Sequence, residues 1–121
     1  MYYYLTFNGI NYIREANYDR YHCRSLITYD QNGNVVSVNE DNYGYEDLIF
    51  GGGYYWALRS FNGIIFKLDA NLNVIRTIKI RGYEKFGKTN YINEIGMHLE
   101  YIDSKLWIVD RSNNFYKTGL E

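Results

Sequence analysis

Tyr54-Tyr-Trp-Ala-Leu58 is a run of apolar residues with no polar residue between them, preceded by Gly51-Gly-Gly53. A strand with one wet face alternates apolar and polar residues. A short unbroken apolar run bounded by turn signals suits a central strand covered on both faces. Leu106-Trp-Ile-Val109 has the same character. Around these runs the alternation returns: Ile64, Phe66 and Leu68 interleave with Ile65, Lys67 and Asp69, the pattern of a half-buried strand. Helical periodicity is hard to find anywhere. Asn8-Gly9, Asn32-Gly33-Asn34, Asn62-Gly63 and Asn113-Asn114 fall between the runs, and Asn-Gly favours tight hairpins because both residues tolerate positive φ.

The expected fold is therefore all-β, about eleven short antiparallel strands in hairpins. They group into one domain over residues 1–121 with three units, near 1–39, 46–80 and 95–121. Strands are expected near 2–7, 10–16, 22–29 and 34–39, then 46–50, 54–60, 63–69 and 73–80. The third unit has 95–102, 105–110 and 114–119, one strand short of the others.

Repetition supports this grouping. Phe7-Asn-Gly-Ile-Asn-Tyr-Ile-Arg-Glu-Ala-Asn17 aligns with Phe61-Asn-Gly-Ile-Ile-Phe-Lys-Leu-Asp-Ala-Asn71. Tyr29-Asp-Gln-Asn-Gly-Asn-Val-Val36 aligns with Leu68-Asp-Ala-Asn-Leu-Asn-Val-Ile75, and Trp107-Ile-Val-Asp-Arg-Ser-Asn-Asn114 with Trp56-Ala-Leu-Arg-Ser-Phe-Asn-Gly63. The offsets of 54, 39 and 51 residues give no single period, and the first two alignments compete for Leu68–Asn71. A hairpin recurs, with loops of varying length around it.

Leu106-Trp-Ile-Val-Asp-Arg-Ser-Asn-Asn-Phe115 resembles the strand–turn–strand core of NHL-type β-propeller blades, where an apolar strand runs into an Asp-led turn. Ile65-Phe-Lys-Leu-Asp-Ala-Asn-Leu-Asn-Val-Ile75 resembles the outer hairpin that follows. The resemblance is best over residues 46–121 and implies four-stranded blades arranged radially, about three per chain. Three blades do not close a propeller, which has 4–8. An open edge invites pairing with another chain, so self-association as a dimer or higher oligomer follows, with Tyr2–Phe7 of a neighbouring subunit as one source of the missing strand. The alternative fold is a self-closed β-sandwich or barrel.

The composition constrains function by exclusion. The 121 residues carry a net charge of −1, which argues against nonspecific nucleic-acid binding. No apolar run reaches membrane-spanning length, and Met1–Phe7 lacks the features of a signal peptide, so a cytoplasmic location, or a place in a virion, is expected. The lone Cys23 fits a reducing compartment. With 15 tyrosines among 19% aromatic residues, the bias follows AT-rich codons and β-propensity as well as recognition.

No catalytic set or cofactor motif emerges. His22 and Cys23, adjacent on a strand, point to opposite faces, and nothing joins His98 to Asp110. Asp30-x-Asn32-Gly-Asn34 and Asp69-x-Asn71-x-Asn73 share the spacing that opens calcium loops but lack the downstream bidentate Glu, and Asx turns account for them. Gly51-Gly-Gly53 lets the chain bend into Tyr54. The pairs Glu40-Asp41 and Glu46-Asp47 read as solvated. The candidate binding residues are Arg81, Tyr83, Lys85, Phe86 and Lys88 in a basic, aromatic loop, with Tyr54 and Tyr55. Opposite charge on residues 40–47 and 76–88 offers a means of steering subunits together. Trp56 and Trp107 offer stacking platforms for sugars, although both lie in apolar runs typical of a core. The expected function is a non-catalytic assembly or binding module of phage or bacterial style acting as an oligomer, with a lectin-like carbohydrate binder and a small phage inhibitor of a host protein as alternatives.

Overall fold

The computed structural model describes residues 4–17, 24–40, 44–59, 63–82, 97–110 and 114–120. Among them are eleven strands: β1 (Thr6–Phe7), β2 (Tyr12–Asn17), β3 (Arg24–Tyr29), β4 (Val35–Asn39), β5 (Asp47–Gly51), β6 (Tyr54–Arg59), β7 (Ile64–Leu68), β8 (Val74–Lys79), β9 (Met97–Ile102), β10 (Lys105–Asp110) and β11 (Phe115–Lys117). They form three antiparallel meanders, β1-β2-β3-β4, β5-β6-β7-β8 and β9-β10-β11, numbered here as sheets 1 to 3. The all-β architecture of antiparallel, propeller-like hairpin sheets is as the sequence predicts. A self-closed sandwich or barrel is not what forms, because the sheets stay separate and sheet 2 stands between the other two. No helix among the described residues is long and apolar enough to cross a membrane.

The turns explain why these short strands pair in fixed register. Asp30 Oδ1 accepts the backbone amides of Asn32 and Asn34, both at 2.9 Å, and Asp69 Oδ1 does the same for Asn71 (2.9 Å) and Asn73 (3.0 Å). Each Asp side chain thus satisfies amides that the tight turn turns away from the ladder. The bonds hold the Asp30 carboxyl below its usual range, those from Asn34 most of all. The turns join β3 to β4 and β7 to β8, so the 39-residue alignment matches equivalent places in sheets 1 and 2. The 51-residue alignment also holds, because β10 takes the place of β6. The 54-residue alignment does not: Asn8-Gly9 joins the first and second strands of its sheet, whereas the strand after Gly63 is the third. Residues 61 and 62 of that alignment lie outside the described residues.

The unbroken apolar run of β6 has the predicted cause. Successive side chains of a strand point to opposite faces. Tyr55 and Ala57 face sheet 1 and join a core with Ile13, Leu26, Leu48 and Leu68. Trp56 and Leu58 face sheet 3 and join a second core with Leu99, Leu106 and Ile108. The first strands of the sheets run side by side: the Thr6 hydroxyl of β1 donates to the Leu48 carbonyl of β5, and the Leu99 amide of β9 donates to Asp47 Oδ2 of β5 at 2.8 Å. The last strands of sheets 1 and 2 are exposed along nearly their whole length. Buried apolar residues lie on β2, β3, β5–β7, β9 and β10, whereas the outermost strands β4, β8 and β11 have none, and the sheets open outward. Thr6–Phe7 is the inner strand of its own sheet, so this part of the Tyr2–Phe7 segment is not free to complete a neighbour's sheet; residues 1–3 lie outside the described residues.

Sheets 2 and 3 meet at one close approach. Tyr101 of β9 stacks on Trp56, ring centroids 6.4 Å apart and planes 22° apart, and crosses directly over Gly51. A Cβ at Gly51 would overlap the Tyr101 ring. Gly52 and Gly53, with φ of 64° and 84°, supply the two-residue hairpin turn that leads into Tyr54. Gly51→Ala is expected to lower stability in urea denaturation by about 1–3 kcal/mol, the usual cost of overpacking. A change within about 0.5 kcal/mol of wild type, as at an ordinary surface position, would show that the Tyr101 contact is not tight.

Candidate binding surfaces

The three sheets repeat one inter-sheet device. In the first strand of each sheet an aromatic residue faces the preceding side: Phe7 opposite Tyr12, Phe50 opposite Tyr55, and Tyr101 opposite Leu106. Phe50 packs into the core between sheets 1 and 2, and Tyr101 into the core between sheets 2 and 3. Phe7 has no described sheet in front of it. It is 47% exposed and rests against Tyr12, centroids 4.7 Å apart.

The receiving side repeats as well. Trp56 lies opposite Lys67, whose ammonium sits 5.3 Å from the indole centroid, and its Nε1 donates to the Gly51 carbonyl at 3.1 Å. Trp107 lies opposite Lys117, 5.9 Å away, and its Nε1 donates to the Ile102 carbonyl at 3.3 Å. Trp56 is wholly buried because Tyr101 covers it. Trp107 is only half-buried, and on the same face of sheet 3 His98, Glu100, Ile102 and Phe115 are exposed. Ile102 stands where sheet 2 has Gly51, so an incoming ring meets an isoleucine side chain in place of bare backbone. The two end walls of the arc thus carry the aromatic of one half-contact and the tryptophan of the other.

A second feature lies between sheets 1 and 2. Where the sheets splay apart, a cleft of about 540 Å³ opens between β3–β4 and the Asp69 turn. Its inner end is Tyr55, 2% exposed, whose hydroxyl accepts a 2.7 Å bond from Asn8 Nδ2. Asn8 is fixed in turn, since its Oδ1 accepts the amides of Ile10 and Asn11. Burial pushes the Tyr55 hydroxyl above the usual phenol range. Thr28 and Ser37, opposite one another in β3 and β4, line the cleft together with Asn11 and Asn71. Among the described residues no lysine or arginine lines it.

The sequence-predicted residues do not converge. Tyr54 is at the β5–β6 turn, and Lys67 lies 4.0 Å over its ring. Tyr55, adjacent on the strand, points the other way into the cleft floor. Arg81 is exposed just beyond β8, and the register Tyr55–Leu68–Val74 against Arg59–Ile64–Lys79 puts it at the opposite end of sheet 2 from Tyr54. Tyr83, Lys85, Phe86 and Lys88 lie outside the described residues, as do His22, Cys23 and Asp41. His98 pairs at 3.5 Å with Glu100 on the open face of sheet 3, while Asp110 points to the opposite face and binds Asn114 and the Tyr116 hydroxyl. The Tyr116 bond to this carboxylate raises its phenol pKa. The Asn8–Tyr55 pairing across 47 residues has no sequence signal. The Trp–Lys repeat was half visible as the Trp56/Trp107 alignment.

Asp47 corrects the reading of Glu46-Asp47 as solvated. Its carboxylate is drawn into the junction of sheets 2 and 3, and burial raises its pKa despite the amide bonds from Leu99 and Leu48. A carboxyl raised in the folded state binds its proton more tightly than in the unfolded chain. Its contribution to stability is therefore complete at low pH and is lost as pH rises from about 4 through the raised value. Asp47→Asn keeps an acceptor for Leu99 without the charge. Its stability relative to wild type should increase between pH 4 and pH 7 in paired urea titrations; a difference independent of pH would show that Asp47 is not desolvated.

No family model matches the sequence, and no curated protein matches it. Among solved structures, BamB from Moraxella catarrhalis, a β-propeller protein, superposes on 93% of this chain with a TM-score of 0.56 at 14% identity. The match covers 30% of the BamB chain, so this chain spans under a third of that protein's length. The likeness shows the fold: three consecutive propeller-like blades.

Proposed function

We propose that this chain is a non-catalytic β-propeller-like assembly module that acts as a homo-oligomer, two copies joining head to tail. The observation that carries this reading is the contrast between Trp56 and Trp107. The two occupy equivalent strand positions with equivalent lysine and carbonyl partners, yet among the described residues only Trp56 has an aromatic ring from a following sheet upon it. Phe7 presents that ring on the opposite wall, with nothing described in front of it. Seating Phe7 of one copy on Trp107 and Ile102 of another buries apolar surface on both. Two such contacts give six blades, within the range that closes a propeller. The reading as non-catalytic is supported by how the acidic side chains are used: Asp30, Asp69 and Asp110 serve turn amides, and Asp47 ties β5 to β9.

Light scattering after size exclusion at micromolar concentration should give twice the mass of one chain. Phe7→Glu should give the single-chain mass with an unchanged far-UV spectrum. Val74→Glu, on the exposed outer strand of sheet 2, should leave the dimer intact. A single-chain mass for the wild type, or equal behaviour of the two variants, contradicts the proposal.

A further inference from the structure

The cleft between sheets 1 and 2 is not needed for self-association, and its chemistry is distinct from that of the end walls. The face that sheet 1 turns toward sheet 2 carries Ile13 and Leu26, and where β3 and β4 border the cleft it is polar, at Thr28 and Ser37. A merely splayed junction needs no such concentration of hydrogen-bonding groups. The side chains of Asn11, Thr28, Ser37 and Asn71 make no hydrogen bond among the described residues, although all four line the same space. The Tyr55 hydroxyl accepts from Asn8, and its own proton has no acceptor among the described residues. Asn8 orients that hydroxyl in the way a second partner fixes a binding group.

These groups define the ligand by type. Hydroxyls and carboxamides each donate and accept, so they match a molecule whose own groups do both. Among the described residues the lining has no lysine or arginine to hold a phosphate or carboxylate, and its one charged member is Glu40 at the rim, which accepts from hydroxyls and repels anions. The volume lies within the range of small-molecule sites, about 300–1,000 Å³. We infer that the cleft lined by Asn11, Thr28, Ser37, Tyr55 and Asn71 is a binding site for a neutral polyhydroxylated ligand, a sugar residue of a glycan. Buried Tyr55 donates to one ring hydroxyl, and the outer groups bond to the others. This site differs from the tryptophan platforms expected from sequence, since Trp56 is sealed under Tyr101.

The test is a set of amide NMR titrations of the full chain with glucose, galactose, mannose, N-acetylglucosamine and maltose, with inorganic phosphate as the anionic comparison. At least one sugar should shift the Asn11, Ser37 and Asn71 signals saturably at concentrations on the order of 10 mM or below. Tyr55→Phe, which deletes only the hydroxyl, should weaken that sugar about tenfold, equivalent to one hydrogen bond. Ser37→Ala, at an exposed position on the outer strand β4, should weaken it several-fold. Binding should persist in the single-chain Phe7→Glu variant, which separates this inference from the assembly proposal. No saturable shift with any of the five sugars, a response to phosphate alone, or undiminished sugar binding in Ser37→Ala would overturn it.

Discussion

Strand β6 sends Tyr55 and Ala57 to one side and Trp56 and Leu58 to the other, and neither pair is buried unless a sheet stands on each face. Burying a large apolar side chain contributes about 1.5–3 kcal/mol, so sheet 2 depends on both neighbours. From this constraint the order of the fold follows. Sheet 1 supplies Ile13 and Leu26 to one face, sheet 3 supplies Leu99, Leu106 and Tyr101 to the other, and the inner strands β1, β5 and β9 are drawn side by side. Gly51 is bare so that Tyr101 can reach Trp56. Asp47 is carried into the junction and desolvated because the Leu99 amide needs an acceptor there.

The same constraint explains why the end sheets differ from the middle one. Sheets 1 and 3 each have one covered face and one without a described cover. Phe7 and Trp107, which match Tyr101 and Trp56 in register, lie on those faces. Copies joined through these two end faces form a ring if the rotation closes and a filament if it does not. The cleft between sheets 1 and 2 arises differently, from the outward opening of the sheets once the inner strands are packed.

Much of this architecture was legible in the residues. Unbroken apolar runs gave β6 and β10, Asp-led turns fixed the β3–β4 and β7–β8 hairpins, and the alternation around Phe66 gave β7. These features are local, and local pattern is what sequence periodicity reports. The 54-residue repeat misled because a Phe-Asn-Gly-Ile hairpin fits equally well between first and second strands or second and third. Asp47 was misread because its burial comes from β9, some fifty residues away. The cleft was invisible for the same reason: Asn8, Thr28, Tyr55 and Asn71 meet only after two sheets have packed. Tyr55 was named as a candidate residue, but with Tyr54 and the basic loop, from which the register separates it.

The most direct measurement of the central claim is a cross-link between the two end walls. In a Cys23→Ser background, one chain would carry Phe7→Cys and a second chain Trp107→Cys, mixed in equal amounts under mild oxidation. The account predicts a disulfide-linked heterodimer as the main product, because Phe7 of one copy sits on Trp107 of the other. A mixture that yields no cross-link, or only links between like variants, would contradict it.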